Sequence, residues 1–317
     1  MSITAIVPVW NGRELLARLF DSLDAQTLRA DEVIVVDNGS TDGAPDLAQK
    51  RGARVIAVGR NAGFAAAVNR GIREARSQWI AILNSDVELA PDYFAILAAA
   101  GAPFATGKIL SPGGALDATF DLTVRGGATW RAGNGMPDAA TFDVARDIVS
   151  PPWTAVLFRT ETLARVGLLD EAFESYLEDA DFGLRCAALG IRGRYVPQAR
   201  AIHIGSASLG RWHPETVWRI ARNQTLLAAR HPAVSRLWPS LVAQGLWGAV
   251  AIRHGAGLAW LRGKFEGLGR FRAARSQAPA SDPELLEQVL NSNEHFIRET
   301  CRDNYWRLYF MLTRGSK

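Results

Sequence analysis

A short polar turn that ends in an acid follows an apolar run near residue 80. A strand is predicted over 79–83, and Asn84, Ser85 and Asp86 come directly after it. Open α/β sheets bind ligands beyond the carboxyl ends of their strands, and carboxylate oxygens are good ligands for divalent cations. An ordinary surface turn has the same composition, so the interpretation depends on the residues around it.

A second group of acids lies near residue 180. Glu178, Asp179 and Asp181 stand close together at the predicted start of a helix, where the helix dipole favours acids even without a function. A positioned carboxylate can also take a proton from an attacking hydroxyl as a general base. Repulsion among the three carboxylates could raise the pKa of one of them, although the helix N-terminus opposes this. The cluster is therefore a candidate acid–base centre.

Two further residues are candidates for binding. Asp37 ends a predicted strand, where its carboxylate could accept the N3–H of uracil or thymine, a donor that adenine lacks. The alternative is an Asx-turn, in which Asp37 bonds to nearby backbone. His203 lies on a predicted strand, 24 residues after Asp179. A single histidine is usually structural, but a neutral imidazole also suits manganese as a ligand.

Alternating strands and helices are predicted to hold these residues. Apolar runs predict strands at 3–10, 32–36, 54–58 and 79–83, with segments of helical spacing between them. This order is typical of parallel βαβ units, whose polar loops gather at one edge of the sheet. Residues 1–110 are therefore predicted to form a nucleotide-binding half of α/β class. The sequence has no G-x-G-x-x-G after the first strand and no P-loop pattern, which argues against both of those sites.

The rest of the chain is predicted to contain two further parts. Residues 111–210 combine loops and short strands with the acidic cluster, and they are predicted to form the acceptor-binding, catalytic half. Residues 211–317 are predicted to be helical, with breaks at Pro232, at Pro239 and near residue 255. The longest uncharged run in this part has 16 residues, which is short of the ~20 that a membrane-spanning helix needs.

The C-terminal part also carries an unusual share of the charge. Of a net charge of +4, residues 211–275 contribute +9, from eleven Lys and Arg against two acids, and they contain five of the ten tryptophans. We expect this segment to contact an anionic membrane surface; nucleic acid or a solvated basic face are the alternatives. The aromatic stripe over 305–312 predicts either packing or self-association, so a homo-oligomer stays open.

The composition suits a globular protein in a reducing compartment. The chain has 317 residues, of which 48% are hydrophobic and 21% charged. Cys186 and Cys301 lie far apart and match no metal or redox spacing, which predicts two free thiols. The N-terminal run has no basic region of the kind that opens a signal peptide, and we interpret it as a strand. These features predict a cytoplasmic protein.

Six segments together resemble the family 2 glycosyltransferases, inverting enzymes with the GT-A fold. The segments, in chain order, are IVPVWNG, EVIVVDNGSTDG, NAGFAAAVNRGI, WIAILNSDVELAPD, YLEDADFGLR and AIHIGSAS. Each segment alone is weakly specific, but the six in this order cover about 3–208. The pattern is most similar to the bacterial rhamnosyltransferase-like branch, which builds lipid-linked surface polysaccharides.

The resemblance implies a role for each matching residue. Asp86 and His203 would hold a divalent cation, Mn²⁺ or Mg²⁺, and Asp179, beside Glu178, would be the general base. The residues implied in nucleotide binding are Pro8, Trp10, Asn11, Asp37, Asn61, Gly63, Asn69, Asn84 and Ser85. The residues implied in acceptor binding are Trp153, Thr154 and Asp181, with core packing as the alternative for Trp153.

The implied reaction is a single inverting displacement at the anomeric carbon of a nucleotide-diphosphate sugar. Asn84 stands where many family members have the first acid of a D-x-D motif, and this favours a dTDP-linked donor such as dTDP-rhamnose. The acceptor would be a polyprenyl-diphosphate-linked or free glycan, at the cytoplasmic face of the inner membrane. Three alternatives remain: a UDP-linked galactose, glucose or N-acetylglucosamine donor, a non-catalytic sugar-nucleotide scaffold, and a nucleic-acid binder.

Overall fold

The computed structural model describes residues 1–205, 212–232, 234, 236–280 and 282–314. Within it the chain forms two compact units. Unit 1 comprises 1–120, 133–174 and 191–207, and unit 2 comprises 121–132, 175–190 and 208–317. These boundaries differ from the three consecutive segments expected from the sequence, because the chain passes into unit 2 three times.

Twelve strands and eleven α-helices are formed by the described residues. The strands are β1 Ile3–Val9, β2 Glu32–Asp37, β3 Arg54–Ala57, β4 Trp79–Leu83, β5 Val87–Leu89, β6 Phe104–Leu110, β7 Leu116–Ala118, β8 Asp121–Thr123, β9 Thr129–Arg131, β10 Arg146–Ile148, β11 Ala155–Arg159 and β12 Gly193–His203. The helices are α1 Arg13–Asp24, α2 Ala44–Lys50, α3 Phe64–Glu74, α4 Tyr93–Ala99, α5 Thr160–Val166, α6 Glu178–Ala188, α7 Pro214–Arg230, α8 Leu237–Arg253, α9 Gly257–Ser276, α10 Pro283–Thr300 and α11 Asn304–Leu312.

Unit 1 is built on one mixed sheet. Its strand order is β10-β12-β6-β11-β4-β1-β2-β3, with β5 paired to β12 and β7 paired to β6. β1 pairs in parallel with both β2 and β4, and β2 pairs in parallel with β3. The three central strands are almost wholly apolar and buried, as a sheet covered on both faces requires. The predicted parallel α/β half is confirmed, and its polar loops follow β1, β2 and β4 on one edge.

Several elements of unit 1 differ from the sequence expectation. Part of the segment predicted to hold short strands is one strand of 11 residues, β12, with a register irregularity between Val196 and Arg200. β5 and β6 were not predicted, although β5 determines where Asp86 lies. The strand is only three residues long, and period-two patterns that short carry little signal.

Unit 2 contains the β8–β9 hairpin and helices α6 to α11. The predicted helical C-terminal part is confirmed, and α7 ends at Arg230, just before Pro232. The predicted break at Pro239 is wrong, because Pro239 lies in the first turn of α8, where its missing N–H costs nothing. In α11, Trp306, Tyr309 and Phe310 are buried, so this part of the aromatic stripe packs within unit 2.

Helices α7 and α9 approach each other closely through glycine. A Cβ on Gly263 would lie 2.3 Å from the carbonyl oxygen of Trp218, and one on Gly267 would lie 2.7 Å from Cβ of Thr225. The two glycines lie four residues apart and so share one face of α9. This face is buried on α7, which leaves the opposite face of α9 outside this contact.

Candidate active site

Backbone pairing in unit 1 brings Asp86 next to His203. Asp86 immediately precedes β5, and β5 pairs antiparallel with β12 so that His203 stands opposite Val87. The Asp86 carbonyl also accepts the N–H of Ile204 at 3.0 Å. The side chains then meet, with His203 Nε2 3.1 Å from Asp86 Oδ1. Two residues 117 positions apart in sequence therefore form one polar centre. Ser206 to Ser208 of the surrounding motif lie outside the described residues.

A third residue, Asp117 on β7, completes this centre. Its Oδ2 lies 2.9 Å from His203 Nδ1, so the imidazole stands between two carboxylates. Burial lowers the pKa of His203, but the hydrogen bonds to Asp117 and Asp86 outweigh it and raise the pKa to about 9. Sequence reasoning missed Asp117, because nothing in its local sequence indicates that β7 and β12 share a sheet.

The donor atoms of Asp86 and His203 suit a divalent cation. Two ligand atoms bound at ~2.1 Å to neighbouring positions of an octahedral ion stand about 3.0 Å apart, close to the 3.1 Å between Nε2 and Oδ1. Among the described residues no group of three or more His, Cys, Asp or Glu has metal-binding geometry. Two protein ligands are enough where a substrate diphosphate supplies further oxygens, as is common for Mg²⁺.

The loops after β1 and β2 are tied together at the edge of the sheet. Asp37 is 6% exposed, and its Oδ1 accepts the backbone N–H of Ser40 at 2.9 Å. Asn11 donates its backbone N–H to Ser40 Oγ and accepts the N–H of Thr41 on its own side chain. The Asx-type bond, which was the alternative to base binding, is thus present, and it uses only Oδ1 of Asp37. Among the described residues nothing bonds Oδ2, which could accept an N–H from a base.

Other predicted nucleotide residues lie in these loops or beside them. Pro8 lies within β1 opposite Val36, and the side chain of Trp10 is 45% exposed. Asn61 accepts the N–H of Gly63, whose φ is +89°. Asn84 donates its backbone N–H to the carbonyl of Thr154.

Gly63 packs closely against the backbone of Glu174 and does not border an open space for a ligand. A Cβ there would lie 2.8 Å from the carbonyl oxygen of Glu174, so the residue must be glycine on steric grounds as well as for its φ. Asn69 is also occupied. It is 1% exposed and exchanges two hydrogen bonds with the backbone of Leu169, while donating another to Glu171. We therefore assign Asn69 to positioning the 169–171 loop, and not to nucleotide contact.

Trp153 and Thr154, expected at the acceptor, are both buried. Trp153 is 2% exposed and its ring lies 4.8 Å from that of Phe158, while Thr154 is 4% exposed. Core packing, the alternative kept open for Trp153, is what unit 1 shows. Ser85 and Asn84 remain half-buried beside Asp86.

In unit 2, the carboxylates of Asp179 and Asp121 both bond to the guanidinium of Arg131. Arg131 on β9 bonds Asp121 on β8 with Nε at 3.2 Å, and its Nη2 reaches Asp179 Oδ2 at 3.2 Å. Burial, followed by the charge of Asp121, raises the pKa of Asp179 to about 7, against the lowering effect of Arg131. A carboxyl that titrates near neutrality suits a general base. Asp121 and Arg131 were not predicted, since only the hairpin brings them to α6.

The neighbouring acid, Glu178, is buried. It is 7% exposed, and its Oε2 has no hydrogen-bond partner among the described residues. Burial, and after it the charge of Asp179, raise the pKa of Glu178 well above its ordinary value. Glu178 therefore holds its proton more tightly than an ordinary glutamic acid, whereas Asp179 titrates near neutrality and bonds to Arg131, which favours Asp179 as the base of the pair.

The segment before α6 has an unusual backbone conformation. Tyr176 and Leu177 have φ values of +74° and +68°, a region that bulky residues avoid. Asn223 on α7 donates its side-chain amide to the carbonyls of Ser175 and Tyr176 at 2.9 and 2.7 Å. Strain of this kind persists where surrounding bonds enforce it, and it is common at functional sites. Here the strained segment fixes the start of α6 and therefore the position of Asp179 in its first turn.

Asp181 has a different role from the predicted acceptor contact. It is 0% exposed, and its carboxylate accepts from Arg185, Arg230 and His231, each at 2.9 Å. Burial raises its pKa, but these three partners lower it far more, to well below the usual range. A side chain without exposed surface cannot contact an acceptor, so we assign Asp181 to the stability of unit 2.

Comparisons with known proteins agree with the fold. The family described as Glycosyl transferase family 2 matches residues 4–102, and Glycosyl transferase family group 2 matches 79–224. The two matches together include Asp37, Asp86, Asp179 and His203. The chain belongs to glycosyltransferase family 2 and is a glycosyltransferase with the GT-A fold, as the sequence predicts.

One curated relative extends the similarity over most of the chain. It is the N-acetylglucosaminyl-diphospho-decaprenol L-rhamnosyltransferase of Mycobacterium tuberculosis, 28% identical over 75% of this chain and 87% of the relative. The succinoglycan biosynthesis protein ExoO of Rhizobium meliloti is 39% identical, but over only 28% of this chain and 27% of its own.

Two solved structures share the fold. GalNAc-T7, crystallised with UDP, GalNAc and Mn²⁺, superposes with a TM-score of 0.65 at 13% identity and covers 95% of this chain. This chain spans 58% of that protein's chain. The mannosyltransferase PcManGT of Pyrobaculum calidifontis, in complex with GDP-Man and Mn²⁺, has a TM-score of 0.53 at 18% identity and covers 99% of this chain and 87% of its own.

Proposed function

We propose that this glycosyltransferase moves L-rhamnose from dTDP-rhamnose to a hydroxyl of a polyprenyl-diphosphate-linked glycan, with inversion at the anomeric carbon. The observation that carries the proposal is the similarity to a rhamnosyltransferase over three quarters of the chain. The printed name of that relative includes a sugar linked through diphosphate to a polyprenol. Asn84 before Asp86, in place of an acid, supports a deoxythymidine nucleotide.

Each candidate residue has a separate part in the proposed reaction. Asp37 of unit 1 would accept the N3–H of the base through Oδ2, and Asp86 and His203 would hold Mn²⁺ or Mg²⁺. The cation, when bound, neutralises charge on the departing diphosphate as a Lewis acid. Asp179 of unit 2 takes the proton of the acceptor hydroxyl, a contribution of ~10²–10⁴ in rate. A single displacement needs no covalent enzyme intermediate.

Nucleotide binding tests the donor. In a thermal-shift titration with Mn²⁺ and dTDP, UDP, GDP or CMP, we expect dTDP to raise the unfolding temperature most, because a ligand of the folded state stabilises it by mass action. In Asp86→Ala the part of this shift that requires Mn²⁺ should disappear. Asp147→Asn, which changes a 60% exposed carboxylate of unit 1, is the matched control and should keep the full shift.

Each other outcome has a definite meaning. A shift with UDP alone would retain the fold and the mechanism but replace the donor by a UDP-sugar. No shift with any of the four nucleotides would contradict the proposed enzyme and favour a scaffold. An unchanged Mn²⁺-dependent shift in Asp86→Ala would remove Asp86 from the metal site.

We also propose that unit 2 binds an anionic membrane surface through helix α9. Four large apolar side chains lie three or four residues apart on one face, and they are exposed by 84, 43, 71 and 61%: Leu258, Leu261, Phe265 and Leu268. This face lies away from the Gly263–Gly267 contact with α7. We call these four residues the α9 stripe. Helix α8 adds exposed Leu237, Trp238, Leu241 and Ile252.

The charges of α9 favour anionic lipid as the occupant. The helix carries five Lys and Arg against one acid, for a net charge of +4. Arg262, Arg272 and Arg275 are exposed. An apolar stripe bordered by arginine is typical of helices that lie in the membrane interface. Among the described residues no helix is long and apolar enough to cross a membrane. A lipid-linked acceptor would be presented at such a surface.

Flotation with vesicles tests the α9 stripe. The wild-type protein should float with phosphatidylglycerol-containing vesicles at low salt and less so with pure phosphatidylcholine, since each basic residue contributes ~1 kcal/mol near an anionic surface. Phe265→Ser with Leu268→Ser should weaken binding on the order of tenfold or more, because both side chains lose apolar area that lipid would cover. Val144→Ser, at a 57% exposed apolar residue of unit 1, is the control and should bind as wild type.

Two results would contradict this interpretation. One is no binding of the wild-type protein to anionic vesicles at low salt. The other is a wild-type protein that elutes as a dimer in gel filtration, together with a double variant that is monomeric but binds vesicles as before. That result would show that the α9 stripe contacts a second copy of the chain. Salt-sensitive binding to DNA in a gel shift would instead favour nucleic acid.

A further inference from the structure

Asp117 occupies a special position in strand β7. β7 pairs antiparallel with β6, but the register shifts so that Ile109 faces Ala118 while Leu110 faces Leu116. Asp117 is therefore the extra residue of a β-bulge, a feature that re-aims a side chain and is common beside active sites. Its neighbours Leu116 and Ala118 are 1% and 0% exposed, which anchors the bulge in the core.

Residues 134–136 of unit 1, which follow β9 in the chain, hold the bulge in place. Asn134 donates its side-chain amide to the Asp117 carbonyl at 2.8 Å. Gly135 donates its backbone N–H to the carbonyl of Leu116, whose own N–H is accepted by Met136. Backbone groups of Leu116 and Asp117 thus bond to residues 134–136.

The carboxylate of Asp117 is directed at His203. Its Oδ2 lies 2.9 Å from Nδ1, on the side of the ring away from the atom that faces Asp86. In the neutral imidazole that a cation would bind, a hydrogen bond at Nδ1 keeps the proton there and leaves the lone pair on Nε2. It also fixes the rotation of the ring. Metal-binding histidines are commonly oriented by a carboxylate in this way, and losing it costs 10–100-fold in metal affinity.

We propose that Asp117 is the positioning residue of the metal centre: it sets the tautomer and orientation of His203 so that Nε2 faces the cation site beside Asp86. The inference rests on the proposed function, because it assumes that Asp86 and His203 hold the cation. It differs from a purely structural role for Asp117, in which the hydrogen bond would stabilise the sheet and leave metal affinity unchanged.

Mn²⁺ binding measures this role without an activity assay. The EPR signal of free Mn²⁺ is followed as protein is added in the presence of dTDP. Asp117→Asn should weaken binding and Asp117→Ala should weaken it more, by ~10–100-fold, because the amide oxygen of Asn can still accept from Nδ1 while alanine cannot. The control Asp147→Asn should bind as the wild type does. Unfolding temperatures without metal are measured for all variants.

The outcomes separate the inference from the function. If Asp86→Ala and His203→Ala lose Mn²⁺ but both Asp117 variants bind as wild type, the positioning role is overturned and the metal site stands. If all four variants bind as wild type, the metal site itself is wrong. A lowered unfolding temperature of the Asp117 variants with unchanged Mn²⁺ affinity would assign Asp117 to folding alone and also overturn the inference.

Discussion

Replacing Asp179 by Asn should reduce turnover by ~10²–10⁴-fold while leaving the protein folded. The amide is nearly the same size as the carboxylate and can still accept from Arg131, so the β8–β9 hairpin keeps its contact with α6. It cannot take a proton from the acceptor hydroxyl at neutral pH. The measurement is kcat with saturating donor and acceptor, and the Mn²⁺-dependent thermal shift with nucleotide serves as the control for an intact donor site.

The pH dependence of the wild-type enzyme should have the same origin. A base acts when deprotonated, and the pKa of Asp179 is raised to about 7, by burial first and then by the charge of Asp121. We expect kcat/KM to fall about tenfold per pH unit below that value. Asp121→Asn removes a neighbouring negative charge that raises the pKa of Asp179, so the fall in activity on the acid side should move to lower pH.

Two outcomes would remove Asp179 from the role of base. One is full activity of the Asp179→Asn enzyme. The other is an Asp121→Asn enzyme whose kcat/KM falls at the same acidic pH as that of the wild type. Glu178→Gln tests the neighbouring acid: the pKa of Asp179 is shifted by burial, Asp121 and Arg131, so the amide at 178 should leave the pH at which activity is lost nearly unchanged.

The sequence was a good guide to residues that follow strands and a poor guide to their partners. Asp37, Asn84 and Asp86 each follow an apolar run, and the run itself predicts their place at the sheet edge. His203 meets Asp86 because β12 pairs with β5, a three-residue strand that no local pattern reveals. Pairing of distant strands is decided by the whole sheet, so the centre around His203 could not be assembled from spacing.

Three residues that the resemblance implied at the site are buried in the structure, for one physical reason. Asn69, Trp153 and Asp181 are polar or aromatic residues in or next to segments that match the family, and such residues suggest ligand contact. In the structure all three are at most 2% exposed. Asn69 bonds to residues 100 or more positions away, and two of the three partners of Asp181 lie 49 and 50 positions away. Burial depends on tertiary packing, and the sequence of one segment does not contain it.

Asp181→Ala should cost unit 2 about 3–5 kcal/mol of stability, because removing one partner of a buried ionic cluster leaves the others uncompensated. Arg185 and Arg230 would both keep their charge with side chains 9% exposed, and His231 would lose the acceptor of its Nε2. The measurement is the urea midpoint followed by tryptophan fluorescence. Seven of the ten tryptophans lie in unit 2, so this signal reports mainly on that unit.

The matched control separates burial from charge. Asp147→Ala breaks the exposed pair with Arg194 in unit 1 and should change stability by at most ~1 kcal/mol. The pKa of Asp181 is lowered in the folded state, so its contribution is complete above the unfolded value near 3.8 and is lost as the pH falls below it. The difference between wild type and Asp181→Ala should therefore narrow in acid. An equal midpoint at pH 7 would show that the cluster does not stabilise α6 and α7, and it would reopen an acceptor-side role for Asp181.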